Sequence, residues 1–251
     1  MLTEMNTLPD TLPDRLAAVR AAIAEAAGRA GRAADGIALV AVSKTHAPEA
    51  IREAMEAGQF LFGESRVQEA KAKIPLLSGR ARWHFIGHLQ KNKIRHALAL
   101  GFELFHGVDS LETAREINRI AAEDGCFPKA LIEVNMAGEA SKFGFSPANL
   151  ASQMEQMLSL ERLQIEGLMT IAPLAAEAEA SRPHFAGLRI LREKIATEFR
   201  APLPQLSMGM SGDFTVAVEE GATLVRVGTA IFGTRRGKAW KPTGDAAFSE
   251  D

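Results

Sequence analysis

The stretch LVAVSKTHAPEAI, residues 39–51, runs an apolar segment straight into Ser43 and Lys44, with a helix expected just beyond. A lysine directed into a core costs several kcal/mol unless something uses it. Two uses are common: pairing with a phosphate as a point charge, or condensing the amine with a carbonyl. A desolvated amine has a lowered pKa and attacks carbonyls at neutral pH. Strand alternation places Val40, Val42 and Lys44 on one face.

Two later segments, LSMGMSGD (206–213) and VRVGT (225–229), combine glycines with Ser211 and Thr229 hydroxyls. Glycine lets a backbone approach an anion closely, and a helix expected from Asp213 would aim its N–H groups at the same place. Taken singly, each segment also reads as an ordinary tight turn. Arg226 interrupts the apolar TLVRVG and shares a face with Leu224 and Gly228. Its charge demands either a structural ion pair, with Glu133 the candidate, or a hydrogen bond to the ring nitrogen of a bound cofactor. Pyridoxal 5′-phosphate supplies an aldehyde for Lys44 and a phosphate for the glycine loops. An arginine stays protonated, so it would keep a pyridine nitrogen unprotonated and make the ring a poor electron sink. Met169, Met208 and Met210 are expected to pack around such a cofactor.

The elements that must position these residues alternate along the chain. A helix is expected over 14–30, capped by Asp14, with Leu16, Val19, Ile23 and Ala26 at three- and four-residue spacing. Strands then follow at Ile37–Val42, QFLFGE, Trp83–Gly87, ELFHGV, Lys129–Asn135, LQIEGLMTI, PQLSMG and TLVRVGTAIFG. Helices separate them over 48–57, 67–77, about 91–100, from an Asp109/Glu112 capping box, from Ser146-Pro147, over 181–199 and over 213–220. Eight such units in about 200 residues predict a single (β/α)8 TIM-type barrel of class α/β with an extra N-terminal helix. An open sheet of five or six strands is the alternative. In a barrel the active site lies at the carboxyl ends of the strands, with phosphate often held after strands seven and eight. Those are the positions of Lys44, the GMSG loop and the GT loop.

The 251 residues suit one barrel domain, here residues 12–236, with 1–11 and 237–251 expected to be flexible tails. A net charge of −2 leaves no basic footprint for nucleic acid. No run of 18 apolar residues and no signal-peptide core is present, so a cytoplasmic protein without membrane contact is expected. The single cysteine, Cys126, allows no intrachain disulfide. His84 and His88 have the spacing of a helical metal pair but fall on a strand end, where that spacing does not converge. His106 reads as a polar strand-end residue, and KNKIRH as a solvated basic face.

The motifs LVAVSKTH, FGESRVQEA, WHFIGHLQKNK, HGVDS, GLMTIAP, LSMGMSGDF and VRVGTAIFG, spread over most of the chain, together resemble the YggS/PROSC family of pyridoxal-phosphate homeostasis proteins. That resemblance implies an alanine-racemase-like barrel without the second, β-rich domain. It implies a cofactor held as an aldimine on Lys44, a phosphate held by Ser211, Gly228 and Thr229, and Arg226 at the ring nitrogen. Ser65, where the family usually has asparagine, is a further candidate contact; His88 stands where the family usually has proline. The implied role is vitamin B6 homeostasis, by buffering or delivering the cofactor, with effects on amino-acid and keto-acid balance. No firm catalytic activity is attached to the family. The implied partners are pyridoxal phosphate and the apo-enzymes that use it, and a monomer is expected.

Three alternatives stand beside that reading. A weak racemase-type enzyme would lack its usual second base, because the chain contains no tyrosine. An aldolase-type barrel would also use a lysine and a phosphate site, but such lysines more often come late in the barrel. A partner-binding module without chemistry would need none of these residues.

Overall fold

The computed structural model describes residues 10–77, 79–139, 142–234 and 240. Eight parallel strands close into a barrel in chain order: β1 (Ala38–Val42), β2 (Leu61–Glu64), β3 (Arg82–Phe85), β4 (Leu104–Val108), β5 (Lys129–Glu133), β6 (Gln164–Met169), β7 (Gln205–Ser207) and β8 (Leu224–Val227). The expected (β/α)8 architecture is therefore the one observed, and the open sheet is not. β8 closes on β1 in the register Leu39↔Val225, Val40↔Arg226 and Ala41↔Val227.

The apolar residues of six strands divide between two cores, as a period of two requires, while those of β3 and β7 pack only outward. Val40, Leu61, Leu104, Leu131, Met169 and Leu224 meet inside the barrel. Leu39, Ala41, Phe62, Phe105, Leu168, Leu206, Val225 and Val227 face outward, into the larger core under the helices. This two-sided burial explains why the strands read as continuous apolar runs.

The outer layer comprises α1 (Leu12–Arg29), α2 (Pro48–Glu56), α3 (Val67–Lys73), α4 (Ile94–Leu98), α5 (Leu111–Asp124), α6 (Pro147–Leu158), α7 (Arg182–Glu198), α8 (Phe214–Glu219) and α9 (Thr229–Phe232). The extra helix α1 packs against α2, α8 and α9, covering the seam where β8 meets β1. Arg32 ties the end of α1 to this seam by donating to the carbonyls of Val218 and Ala222. No helix among the described residues is long and apolar enough to cross a membrane.

Several boundaries differ from expectation. Asp14 does not cap α1: Thr11 does, accepting the Asp14 N–H at 3.3 Å while its hydroxyl donates to the Asp14 carboxylate at 2.6 Å. Likewise Ser110, not Asp109, caps α5 by accepting the Thr113 N–H. In both a hydroxyl caps where an acid was expected to: Thr11 precedes Asp14, which lies in the first turn, whereas Ser110 directly follows Asp109. The eighth strand stops at Val227, because Gly228 turns the chain and Thr229–Phe232 forms a short helix. Ser146 and Pro147 open α6 as expected. The proposed tails 1–11 and 237–251 lie largely outside the described residues.

Gly167, on β6, sits opposite Gln205 of β7; an added Cβ would lie 1.9 Å from the Gln205 carbonyl oxygen. Gly167→Ala is expected to destabilise the barrel by about 3 kcal/mol or more, because only backbone movement relieves that contact. Gly36→Ala, where nothing lies within 4 Å of the added carbon, is expected to be near neutral. Urea denaturation of both variants checks the contrast.

Candidate functional site

Lys44 does not end β1 in the core. It stands two residues beyond Val42, in a turn, with its side chain exposed. The sequence expectation of a lysine pointing inward is corrected on this point: the lysine that pays for burial is Lys73, on α3, which is 0% exposed. Its ammonium donates to the Ser43 carbonyl at 2.9 Å and to Glu64 at 3.0 Å, and it also bonds Glu69. The same Glu64 oxygen accepts the Ser43 hydroxyl proton at 2.7 Å, and Glu69 accepts the Thr45 N–H. Both neighbours of Lys44 are thus clamped by one buried cluster. Burial raises the Glu64 carboxyl above its ordinary range, against the pull of the Lys73 charge.

Thr45 has φ 68°, a left-handed conformation that β-branched residues rarely adopt. Such strain persists only where surrounding bonds hold it, and it clusters at functional positions. Besides the Glu69 contact, the Thr45 carbonyl accepts the Trp240 N–H at 3.0 Å, and the Trp240 ring lies 5.3 Å from the Lys73 ammonium. The next residue, His46, stacks on Phe232 of α9 with 4.8 Å between ring centroids.

The two glycine loops sit beside this turn. The β1–β8 register brings the end of β8 to Val42, and a Cβ on Gly228 would meet the Val42 Cβ at 3.3 Å. Ser211 joins the loops: its hydroxyl oxygen accepts the N–H groups of Gly228 at 3.2 Å and Ala230 at 3.3 Å. Gly209 has φ 92°, and a Cβ there would meet Ala217 at 2.6 Å, so this turn needs glycine. Met210 is half-buried, and its N–H donates to Asp213 at 2.6 Å. Thr229 is exposed at the start of α9. Lys44, Met210, Ser211, Gly228 and Thr229 therefore follow strands one, seven and eight at one end of the barrel, as their spacing predicts.

Inside the barrel, just beneath, Arg226 is 5% exposed. Its guanidinium donates through one terminal nitrogen to the Ser207 hydroxyl and through the other to the Thr170 carbonyl, the latter at 2.9 Å. Burial lowers its pKa to about 10, with Glu133 and Asp213 acting in the opposite direction. Glu133 is an electrostatic neighbour rather than a hydrogen-bonded ion pair. Its own pKa is pushed up to about 6 by burial and by Asp109, against Arg226 and His88.

Of Ser65, His106 and His88, only His106 sits otherwise than expected. Ser65 follows β2 and lines a recess of about 430 Å³ with Arg66, Gly87, His88 and Lys93. No hydrogen bond among those of the described residues joins it to Ser211 or Arg226. His106 is not a strand-end residue: it lies within β4, fully buried, with its ring bonded to His84 and Ser207. His88 bonds Asp109 at 2.8 Å and stacks on Phe143 at 4.0 Å. Among the described residues no group of three or more His, Cys, Asp or Glu side chains forms a metal cage.

A recess of about 590 Å³ opens at the opposite, amino end of the barrel, bordered by Asp35, Arg82, Glu103, Lys129 and Glu166. Its cations are compensated within the rim, Arg82 by Glu103 at 2.8 Å and Lys129 by Glu166 at 3.6 Å. The Lys44 turn, the glycine loops and the buried arginine lie toward the other mouth, away from this recess.

Sequence reasoning missed the Lys73 cluster and Trp240. The i, i+4 pair Glu69–Lys73 was visible, but a surface pair gives the same pattern. Lys73→Met is expected to cost about 3–5 kcal/mol, because it strands two buried carboxylates. Arg52→Ala, breaking an exposed pair with Glu49, is expected to cost less than about 1 kcal/mol. Chemical denaturation of the two variants separates these outcomes.

Comparison with known proteins identifies the family and the fold. The family described as alanine racemase, N-terminal domain, matches residues 15–236. A pyridoxal phosphate homeostasis protein of Aquifex aeolicus is 44% identical over 215 residues, covering 85% of this chain and 94% of the relative. The one from Bos taurus is 40% identical over 78% of this chain and 77% of its own length. The structure of PipY, the COG0325 family member of Synechococcus elongatus, with pyridoxal phosphate bound, superposes with a TM-score of 0.79 at 39% identity, over 89% of this chain and 100% of that one. An alanine racemase of Clostridium difficile shares the fold, with a TM-score of 0.71 at 16% identity, and this chain spans 61% of its length. The chain belongs to the family of pyridoxal phosphate homeostasis proteins, barrel relatives of the amino-terminal domain of alanine racemase.

Proposed function

We propose that this protein binds pyridoxal 5′-phosphate at the carboxyl mouth of the barrel and serves vitamin B6 homeostasis by holding the cofactor and passing it on. The observation that carries this reading is the meeting of three features at one mouth: the clamped Lys44 turn, the loops joined by Ser211, and the buried Arg226. The residues suit the group chemically. Thr45 Oγ1 and Glu64 Oε2 are buried beside the Lys44 turn without a hydrogen-bond partner, so the turn has polar capacity in reserve.

The cofactor, when bound, supplies an aldehyde for reversible condensation with an amine and a phosphate for anchoring. Lys44 provides the amine, on an exposed turn that an incoming amine can also reach. Gly209, Ser211, Gly228 and Thr229 hold the phosphate through backbone N–H groups and hydroxyls, with Met210 packing beside them. Arg226 donates to the ring nitrogen. It cannot give up a proton at neutral pH even with its pKa near 10, so the nitrogen facing it stays unprotonated. An unprotonated ring weakens carbanion chemistry, and the chain contains no tyrosine to act as a second base. Both features favour holding over catalysis, and the racemase-type enzyme is the weaker reading. Ser65 is a contact of lower rank, because it lies across the mouth near His88. Partner proteins are apo-enzymes that take up the cofactor; a cytoplasmic monomer suits that traffic.

Two measurements test this proposal. Wild-type protein mixed with pyridoxal phosphate is expected to turn yellow and, after borohydride reduction, to carry the label on Lys44; Lys44→Ala is expected to lose that band. A band unchanged in the variant would contradict the assignment. Ser211→Ala is expected to raise the Kd for pyridoxal phosphate about tenfold, the loss of about 1.4 kcal/mol, while leaving the Kd for unphosphorylated pyridoxal unchanged. Equal weakening of both ligands would remove Ser211 from the phosphate site.

A further inference from the structure

The hydrogen bonds beneath Arg226 form a chain along the barrel interior, and the atoms fix its direction. Arg226 donates to Ser207 Oγ, Ser207 Oγ lies 2.8 Å from His106 Nδ1, and His106 Nε2 lies 2.9 Å from His84 Nδ1. Ser207 and His106 are 0% exposed and His84 is 5% exposed. A guanidinium can only donate. The buried Ser207 proton therefore needs another acceptor, and among its bonded neighbours only His106 Nδ1 can accept it. That assigns the His106 proton to Nε2, from which it is donated to His84 Nδ1. The His84 proton is then on Nε2, the nitrogen not used within the chain. His84 also lines the recess at the amino end. Burial lowers the pKa of both rings, that of His84 to about 4, so neutral imidazoles are the forms present.

We propose that His106 and His84 are positioning residues for Arg226: His106, its tautomer set by donation to His84, accepts the Ser207 proton, which makes the serine an acceptor for the guanidinium and leaves the remaining edge of Arg226 for the cofactor. Thr170 supplies the second fixed acceptor, so the guanidinium is held at both terminal nitrogens. With the serine proton turned the other way, one of those holds would be lost. No hydrogen bond among those of the described residues joins the histidines to the Lys44 turn or the glycine loops; they act through Ser207. This inference rests on the reading that Arg226 faces the cofactor ring.

The first test needs no cofactor. Long-range ¹H–¹⁵N correlation of histidine-labelled protein is expected to find His84 and His106 both as Nε2–H tautomers. A proton on His106 Nδ1, or a charged His106 at pH 7, would overturn the directed chain. The second test compares two substitutions loaded with pyridoxal phosphate. His106→Asn keeps an acceptor for Ser207 and is expected to bind within about twofold of wild type. His106→Leu removes the acceptor; its Kd is expected to rise about tenfold, and the ring-nitrogen signal of ¹⁵N-labelled cofactor to move away from its wild-type position. An unchanged ring-nitrogen signal in His106→Leu would overturn the positioning role. Absence of a Lys44 label in wild type would instead contradict the cofactor assignment, so the two failures are distinguishable.

Discussion

The pairing of β8 with β1 is the contact on which the site depends. Lys44 and the VGT loop are more than 180 residues apart in sequence, and only the register Ala41↔Val227 makes them neighbours. The close approach of Gly228 to Val42 continues that register past the last paired residues. Helix α1 secures it from outside, packing on α8 and α9 on one side of the seam and on α2 on the other. A barrel left open here would scatter the amine and the phosphate loops to opposite edges of a sheet. The extra N-terminal helix is therefore part of the site's support, although it contributes no functional side chain.

The protein accepts two costly groups inside to make this mouth. Lys73 is an ammonium with no solvent, and Arg226 a guanidinium with almost none. Burying such charges is not by itself a source of stability, since desolvation can exceed the attraction between partners. Both are instead held by acceptors that double as structural ties. Lys73 and its carboxylates bond the backbone on either side of Lys44 and hold Thr45 in a left-handed conformation. Arg226 is bonded to β7 through Ser207 and to the end of β6 through Thr170. Rigid support below and an exposed amine above suit a site that must hold a cofactor firmly yet leave it reachable.

The strands and their order around the barrel were readable from pattern alone. Two-sided apolar runs such as IALVAV and the interruption of TLVRVG by arginine have few physical explanations, and the barrel rule then locates the loops. Cap positions at Thr11 and Ser110 were missed because neighbouring acids satisfy the same preference. The Lys73 cluster was hidden for a different reason. Burial of a helical lysine depends on which face of α3 meets the end of β2, and a seven-residue helix with Glu and Lys four apart looks the same on a surface. His106 was misjudged by its polarity: the expected strand ELFHGV already places it two residues before the end, and it is fully buried. Trp240 is a tertiary contact over a long sequence distance, with no local pattern to announce it.

The central claim is that one mouth holds the cofactor by an amine, a phosphate cradle and a ring-facing arginine at once. A crystal structure of the protein grown with pyridoxal 5′-phosphate tests it most directly. The account predicts density continuous with Lys44 Nζ, the phosphate between the Gly209–Ser211 and Gly228–Thr229 segments, and the ring nitrogen within hydrogen-bonding distance of Arg226. Density on another lysine, or a cofactor seated in the recess at the amino end, would contradict it.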